Sequence, residues 1–372
     1  MRILHCISGL HGGGAERQLS YLSAALDKKG VDVHVAYHLS EPESARILDS
    51  RVRYHILPSR GNHDALMLWR LIKVVREVQP DLIQTWLLQM DVVGGLAAIA
   101  TRIPFVMTER TVAGTYVTSW KEMLRNAIGK RAALVIANSR SGRDYWLSRK
   151  PADLVRVVPN AVPVDEIQET PPVRSESGSM SEDSEIVLFA GRYSREKNVS
   201  VLLDALFLAV LKRPTLVALL FGEGPLKGAL VEEVKRRRME DRVRIMGYTQ
   251  EVWGWMKRAA VLVSVSLFEG NPNVVAEAAA AGCPLVLSDI PQHRDLFGDD
   301  DACYVPCGAP QEIADGLLDV LRNPDKAKRK ARSAHAKVSH RTIDSLANEY
   351  VELYSLILAD LRVSGSIQLA SR

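Results

Sequence analysis

Twice along this chain a short apolar run opens a series in which buried-strand patterns alternate with longer amphipathic ones. That doubled alternation restricts the fold more than any other feature. The first series starts with Arg2 to Ser8, passes through Gly12-Gly13-Gly14 into a helical stretch from Ala15 to Lys29, and continues with Val31 to Tyr37, Leu82 to Thr85, Phe105 to Thr108 and Leu134 to Asn138. The second opens on Ile186 to Ala190 and runs on through Thr215 to Phe221, Val243 to Met246, Val261 to Val265 and Pro284 to Ser288. Strand and helix in alternation imply parallel βαβ units with helices on both faces of a sheet. Between the series, residues 163–185 are rich in Pro, Ser and Glu, lack apolar periodicity and read as a linker. The expected fold is therefore α/β: two doubly wound Rossmann-like domains, 1–162 and 186–342, facing each other across a cleft. In such sheets ligands bind beyond the carboxyl ends of the strands, where the glycine-bearing loop after the first strand of each half falls. The tail, 343–372, is helical in period and fits either onto the second domain or back onto the first.

Composition removes several function classes. With 47% hydrophobic and 25% charged residues in 372, the chain has enough apolar matter for sizeable cores, and its composition is not that of a disordered protein. A formal charge of +4 is too small for a dedicated nucleic-acid binder. The basic runs Arg236-Arg237-Arg238 and Lys326 to Lys330 lack interleaved aromatics and read as solvated helix faces. Cys6 and Cys283 are solitary, and Cys303 and Cys307 have no further ligands at zinc-finger spacing. A disulfide scaffold is not expected, and a reducing cytoplasm is the simplest setting. The amino-terminal apolar stretch is too short for a signal peptide, and the run from Ala259 to Phe268 falls short of the ~18 residues of a spanning helix. The expectation is a soluble protein, at most resting on the inner face of a membrane. With no Asp-x-Asp or His cluster, neither a metal nor another cofactor is expected.

The chemistry concentrates in a few segments. From Ser266 to Pro284 a buried strand ends at Leu267, Glu269 sits in the following turn, and Pro272 fits the first turn of a helix. Backbone N–H groups of Asn273 and Val274 would then form an anion site, with Glu277 one turn further in and Gly282 closing the helix. Carboxylates beside an anion site repel it, unless they serve to accept hydrogen bonds from the hydroxyls of a ribose or sugar. Gly191-Arg192-Tyr193-Ser194-Arg195-Glu196-Lys197-Asn198 follows the first strand of the second half. Arg192 and Lys197, with Arg195 as a weaker candidate, would be cations placed to stabilise a departing diphosphate. Gly222 and Gly224, in Gly222-Glu223-Gly224-Pro225, permit backbone to come close to a ligand. In the first half, His11-Gly12-Gly13-Gly14-Ala15-Glu16-Arg17 joins strand to helix and favours an anion. The dinucleotide fingerprint would need a third glycine where Arg17 stands. Thr108-Glu109-Arg110-Thr111 follows another strand. Read blandly, these charges are helix caps, basic turns and loop ion pairs.

Together these segments resemble the family 4 glycosyltransferases of GT-B fold. The resemblance lies in the Glu269–Glu277 pair with seven residues between, the G-R-x-x-x-x-K-N stretch from Gly191, the G-x-G-P turn from Gly222 and the G-G-A-E-R loop from Gly13. It implies that Glu277 holds the nucleotide ribose, that Glu269 contacts the donor sugar, that Arg192 and Lys197 bind the donor diphosphate, and that Gly13, Gly14, Gly191, Gly222, Gly224, Asn273 and Val274 line the donor site. Many relatives carry a histidine where this chain has Thr-Glu-Arg. The resemblance to S/T-E-R variants that build bacterial surface glycans places Glu109 and Arg110, with Arg17, on the acceptor side. Asn138-Ser139 and Pro159-Asn160 match loop-shaping positions, and Ala161-Val162-Pro163 stands where the family usually has Gly-Val-Asp. The implied activity is retaining transfer from a nucleoside-diphosphate sugar, most simply a UDP-sugar, to a glycan or lipid-linked acceptor. Three readings compete: a GT-B-type UDP-sugar epimerase, a non-catalytic sugar-nucleotide binder, and a NAD-dependent oxidoreductase. The stretch from Ser119 to Arg131 sets an apolar stripe, including Trp120 and Met123, beside Lys121, Arg125, Lys130 and Arg131. It reads as a surface helix or as a contact with anionic lipid.

Overall fold

The computed structural model describes residues 1–10, 13–38, 51–59, 64, 66–110, 120–174, 181 and 184–370, with 362–370 as backbone only. His11, Gly12, Thr111, Ser119 and linker residues 175–180, 182 and 183 lie outside the described residues. The chain forms two compact units, Met1–Ala161 with Ile343–Arg372, and Val162–Thr342.

In the first unit the strands are β1 (Arg2–Cys6), β2 (Asp32–Tyr37), β3 (Arg53–Ile56), β4 (Leu82–Thr85), β5 (Phe105–Glu109), β6 (Leu134–Ala137) and β7 (Val155–Val157). They lie in the order β3-β2-β1-β4-β5-β6-β7, every pairing parallel. The helices between them are α1 (Gly14–Lys28), α2 (Leu66–Val78), α3 (Leu87–Thr101), α4 (Trp120–Gly129) and α5 (Arg140–Leu147). A parallel sheet is covered on both faces, so its central strands are buried throughout rather than on alternate residues; β4, β5 and β6 are buried at every residue.

The second unit takes in the start of the stretch read as linker. Val164–Glu169 forms a helix, α6, which buries Val164 and Ile167 in that unit's core. Two apolar residues three apart suffice for one docked turn, but their acidic neighbours and adjacent prolines hid them. The strands are β8 (Glu185–Ala190), β9 (Leu216–Phe221), β10 (Val243–Ile245), β11 (Val261–Ser264), β12 (Leu285–Ser288) and β13 (Cys303–Val305), in the order β10-β9-β8-β11-β12-β13. The helices are α7 (Val199–Lys212), α8 (Lys227–Arg236), α9 (Val252–Arg258), α10 (Asn273–Ala280), α11 (Pro291–Arg294), α12 (Pro310–Arg322) and α13 (Pro324–Val338). In each unit the strand order reverses beside the first strand, at β1/β4 and at β8/β11. Such a switch point leaves a crevice at the strands' carboxyl ends.

The last helix, α14 (Ile343–Ala370), belongs to the first unit. Leu346, Ala347, Tyr350 and Tyr354 are buried in the core that holds Ile3, Leu22 and Trp86, and Asp344 accepts a 2.6 Å bond from Lys29, which follows the end of α1.

Candidate active site

In the second unit the loop after β8 is tied down residue by residue. Gly191 N–H donates to Phe221 O (3.0 Å) and Tyr193 N–H to Glu223 O (2.9 Å). The Tyr193 hydroxyl reaches Leu220 O and, at 2.8 Å, Met246 O. Gly222 takes φ +157°, and a Cβ there would lie 1.9 Å from Gly191 O; at Gly224 a Cβ would lie 2.5 Å from Tyr193 O. These two glycines are needed for the approach of the protein's own backbone, a stricter demand than room for a ligand. Asn198 stands in the left-handed region at φ +57° and donates to Val265 O (3.1 Å) and Cys307 O (2.7 Å). It thereby fixes the turn that carries Lys197.

Lys197 and Glu269 meet. The ammonium lies 2.6 Å from Glu269 Oε1, and the Ser266 hydroxyl donates to the same oxygen at 2.6 Å. Lys197 comes from the loop after β8 and Glu269 from the loop after β11, so the pair straddles this unit's switch point. The Lys197 side chain keeps 26% of its exposure and Glu269 10%, which leaves the ammonium within reach of an incoming anion. Arg192 and Arg195, in the same loop, are exposed. Burial pushes the Glu196 carboxyl up, but a hydrogen bond from Ser194 and the nearby charges of Arg192 and Lys197 hold it below its ordinary range.

α10 begins at Asn273 after Pro272, with no side-chain cap and no acidic residue in its first turn. Its amino end therefore keeps the partial positive charge of an unfilled helix terminus. Glu277, one turn further, is buried and accepts a 2.9 Å bond from Trp253 Nε1 on α9. Gly282, at φ +74°, follows the helix end at Ala281.

The first unit presents a different picture. Gly13 caps α1, but the Glu16 carboxylate folds back onto the Gly13 N–H at 2.8 Å. An anion arriving there must displace or share that carboxylate. Arg17 lies against Tyr21, with Nη2 3.2 Å from the phenol oxygen. Glu109 does not face outward. It is fully buried and accepts from Arg125 Nη1 (2.8 Å) and Trp146 Nε1 (2.9 Å). Arg125 Nε in turn bonds Asp91 Oδ2 at 2.7 Å, and Thr85 bonds the other Asp91 oxygen at 2.7 Å. Burial pushes the Asp91 carboxyl up to about 6 despite Arg125. Glu109 is thus part of the frame beneath the loop, and Arg125 belongs to the inside of α4, not to its basic flank. The outer face of α4 carries Trp120 and Met123, 68% and 67% exposed. Arg110 lies 4.3 Å above the Trp86 ring and donates to Asn160 Oδ1 (2.6 Å) and Tyr350 (3.3 Å). Its Nε is buried without a partner, and among the described residues no carboxylate pairs with it.

Two family models divide the chain between them. The one described as Glycosyltransferase Family 4 matches residues 12–166, and the one described as Glycosyl transferases group 1 matches 184–323. The chain belongs to the family 4 glycosyltransferases. This glycosyltransferase is 25% identical over 368 residues to the lipopolysaccharide core biosynthesis glycosyltransferase LpsD of Rhizobium meliloti, covering 95% of this chain and 98% of LpsD. It is 31% identical over 162 residues, 43% of each chain, to the N-acetylgalactosamine-N,N'-diacetylbacillosaminyl-diphospho-undecaprenol 4-alpha-N-acetylgalactosaminyltransferase of Campylobacter jejuni. Among solved structures, Anabaena HepE, crystallised with UDP and glucose, matches with a TM-score of 0.82 at 20% identity, over 95% of this chain and 99% of that one. The fold is GT-B.

Sequence reasoning missed several supporting groups of the glycosyltransferase. Trp253 carried no local signal, because it acts on Glu277, a carboxylate far along the chain, whereas Ser266 opened the quoted segment just before Glu269, and that spacing was the available clue. Asn198 stood in the quoted G-R-x-x-x-x-K-N stretch, and its placement after a tight turn was the available clue. Among the described residues no helix is long and apolar enough to cross a membrane, and no cluster of three His, Cys, Asp or Glu side chains is placed to hold a metal.

Proposed function

We propose that this glycosyltransferase moves a sugar, with retention, from a UDP-sugar to a lipid-linked or glycan acceptor in surface-glycan synthesis. The observation that carries the reading is the Lys197–Glu269–Ser266 cluster over the switch point of the second unit, in the unit whose α10 offers an uncapped amino end. A diphosphate brings the negative charge that Lys197, Arg192 and this helix end attract. Glu277, steadied by Trp253, accepts hydrogen bonds from ribose hydroxyls, and Glu269 accepts one from the sugar. The UDP held by HepE supports uridine as the base.

In the step we infer, the bond between the anomeric carbon and the diphosphate oxygen breaks, and the diphosphate leaves with the electron pair. The acceptor oxygen bonds to the same face of that carbon, and its proton passes to a phosphate oxygen of the donor. No protein nucleophile is required. Lys197 and Arg192 lower the barrier by opposing the charge that grows on the leaving group.

Acceptor binding is assigned to the first unit, with Arg110 and Arg17 as its cations and Glu109 in the frame beneath the loop. The diphospho-undecaprenol in the name of the Campylobacter relative favours a lipid-linked acceptor. A bilayer contact fits the outer face of this unit. α2 and α4 flank α3, and they expose Leu66 and Trp69 on one side and Trp120 and Met123 on the other. Lys73 and Lys121 lie on the same two helices. Aromatic residues with flanking lysines suit the interface of an anionic membrane.

The test is a thermal-shift panel of UDP-, GDP- and ADP-sugars followed by a transfer assay. One nucleotide series, UDP, stabilises the protein, and Lys197→Ala lowers kcat by about 100- to 1000-fold, as loss of one preorganised charge-stabilising group does, while the variant stays folded. Near-normal turnover in that variant would refute the diphosphate role. Conversion of a UDP-sugar without any acceptor would turn the reading to epimerisation.

A further inference from the structure

Behind the Lys197–Glu269 pair lies a residue that the transfer reaction has so far not used. β12 ends at Ser288, and the chain turns into α11, whose His293 is completely buried. Its Nδ1 is 2.9 Å from the Ser288 carbonyl oxygen and 3.2 Å from the Ser288 hydroxyl. A carbonyl only accepts, so Nδ1 carries the proton and Nε2 is a lone pair. That Nε2 is buried and has no partner. The Ser288 hydroxyl donates at 2.7 Å to the Ser266 carbonyl. The Ser266 hydroxyl donates at 2.6 Å to Glu269 Oε1, the oxygen that Lys197 approaches at 2.6 Å. A continuous chain of contacts thus runs from imidazole to ammonium.

The ring is also within electrostatic reach of both ends of the pair. Burial holds its pKa below the usual histidine value, with Glu269 opposing and Lys197 reinforcing that shift. The other charged group of its own helix, Arg294, is turned to Asp289 and Asp299. The Ser288 carbonyl holds the ring proton on Nδ1 and so leaves Nε2 with no hydrogen to offer.

We propose that His293 is a positioning residue for glycosyl transfer: with its only N–H committed to Ser288, it fixes the Ser288–Ser266–Glu269 chain and keeps Glu269 Oε1 for Lys197, so the ammonium stays where the donor diphosphate departs. The proposal rests on the transferase reading, and its test separates the two.

The amide nitrogen of Asn lies where Nδ1 lay, whereas that of Gln reaches the Nε2 position. In the full chain, His293→Gln lowers kcat by about tenfold or more with the donor KM changed less than about threefold, a loss confined to the transition state. His293→Asn recovers most of that turnover. In a Lys197→Ala background His293→Gln costs less than about a further twofold, because coupled residues are not additive. Equal loss in Asn and Gln, or full additivity with Lys197→Ala, overturns the proposal. A second readout needs no activity. In protein labelled at its nine histidines, the His293 ring is neutral and protonated on Nδ1, and its signal moves in Glu269→Gln. A ring protonated on Nε2, or one that ignores Glu269→Gln, overturns the proposal even if no sugar nucleotide proves to be a donor. If wild-type protein transfers nothing while the ring behaves as stated, the transferase chemistry fails and the positioning of the pair stands.

Discussion

Replacing Arg125 by methionine tests the frame under the first unit's loops. The guanidinium is 1% exposed and serves two fully buried carboxylates, Asp91 at 2.7 Å and Glu109 at 2.8 Å. Removing one partner of a buried ion pair costs about 3–5 kcal/mol, because the other charge is left without compensation. Here one cation answers two anions, so the upper end of that range is expected. Against a typical total of about 5–15 kcal/mol, and with a urea slope of about 2 kcal/mol per molar, the midpoint falls by roughly 2 M. Hydrogen exchange should locate the loss in β5, α3 and α4. The pH dependence has a definite sign. Burial already raises Asp91 to about 6, above its unfolded value of about 3.9, so the folded state binds the proton more tightly. Its contribution to stability is largest below the unfolded value and is lost as pH rises through about 6. Without Arg125 the raising term stands unopposed, and the deficit is larger at pH 8 than at pH 5. Arg125→Met combined with Asp91→Asn and Glu109→Gln recovers most of the stability. A loss under about 1 kcal/mol, or a deficit that grows toward acid, would show that the three groups are not a mutually dependent charge cluster.

Three other outcomes follow from the geometry. Gly222→Ala places a Cβ 1.9 Å from Gly191 O; the two loops must part, and urea denaturation should show the second unit weakened by about 1–3 kcal/mol, with the UDP-induced thermal shift largely gone. Trp253→Phe keeps the ring but removes the N–H from Glu277; calorimetry with UDP should show affinity about fivefold weaker, the worth of roughly one hydrogen bond, with kcat little changed. Trp69→Ser with Trp120→Ser should abolish cosedimentation with phosphatidylglycerol vesicles while transfer to a water-soluble acceptor persists, and retained sedimentation would remove the bilayer contact.

The alternation of strand and helix was legible because parallel strands are buried on both faces and so announce themselves as uninterrupted apolar runs, as β8 and β9 do. Lys197 and Glu269 could be singled out because they sit in loops that directly follow such strands, and the fold brings the two together. What escaped depends on pairings across long sequence separations. Glu109 and Arg110 are neighbours in a loop motif, yet one points into the core and the other stacks on Trp86. Only Asp91, Arg125 and Trp146, contributed by three different helices, explain the inward turn of Glu109. The helix Val164–Glu169 escaped because two apolar residues are too few to establish a period. The destination of the carboxyl-terminal helix was open because its apolar face fits either unit, and the match is decided by Tyr350 and Tyr354 meeting Arg110 and Gln84.

That last contact has a consequence for how the protein is made. A ribosome that has released the residues up to Ala161 has delivered all seven strands of the first sheet, but not the helix that roofs Gln84 and Trp86. Biosynthesis must hold this unit unfinished, with aromatic and polar groups open to water or to chaperones, until the second unit has emerged and the helix that begins at Ile343 returns. A nascent chain stalled or clipped after Thr342 would carry a complete second unit and a first unit that never closes over its own interior.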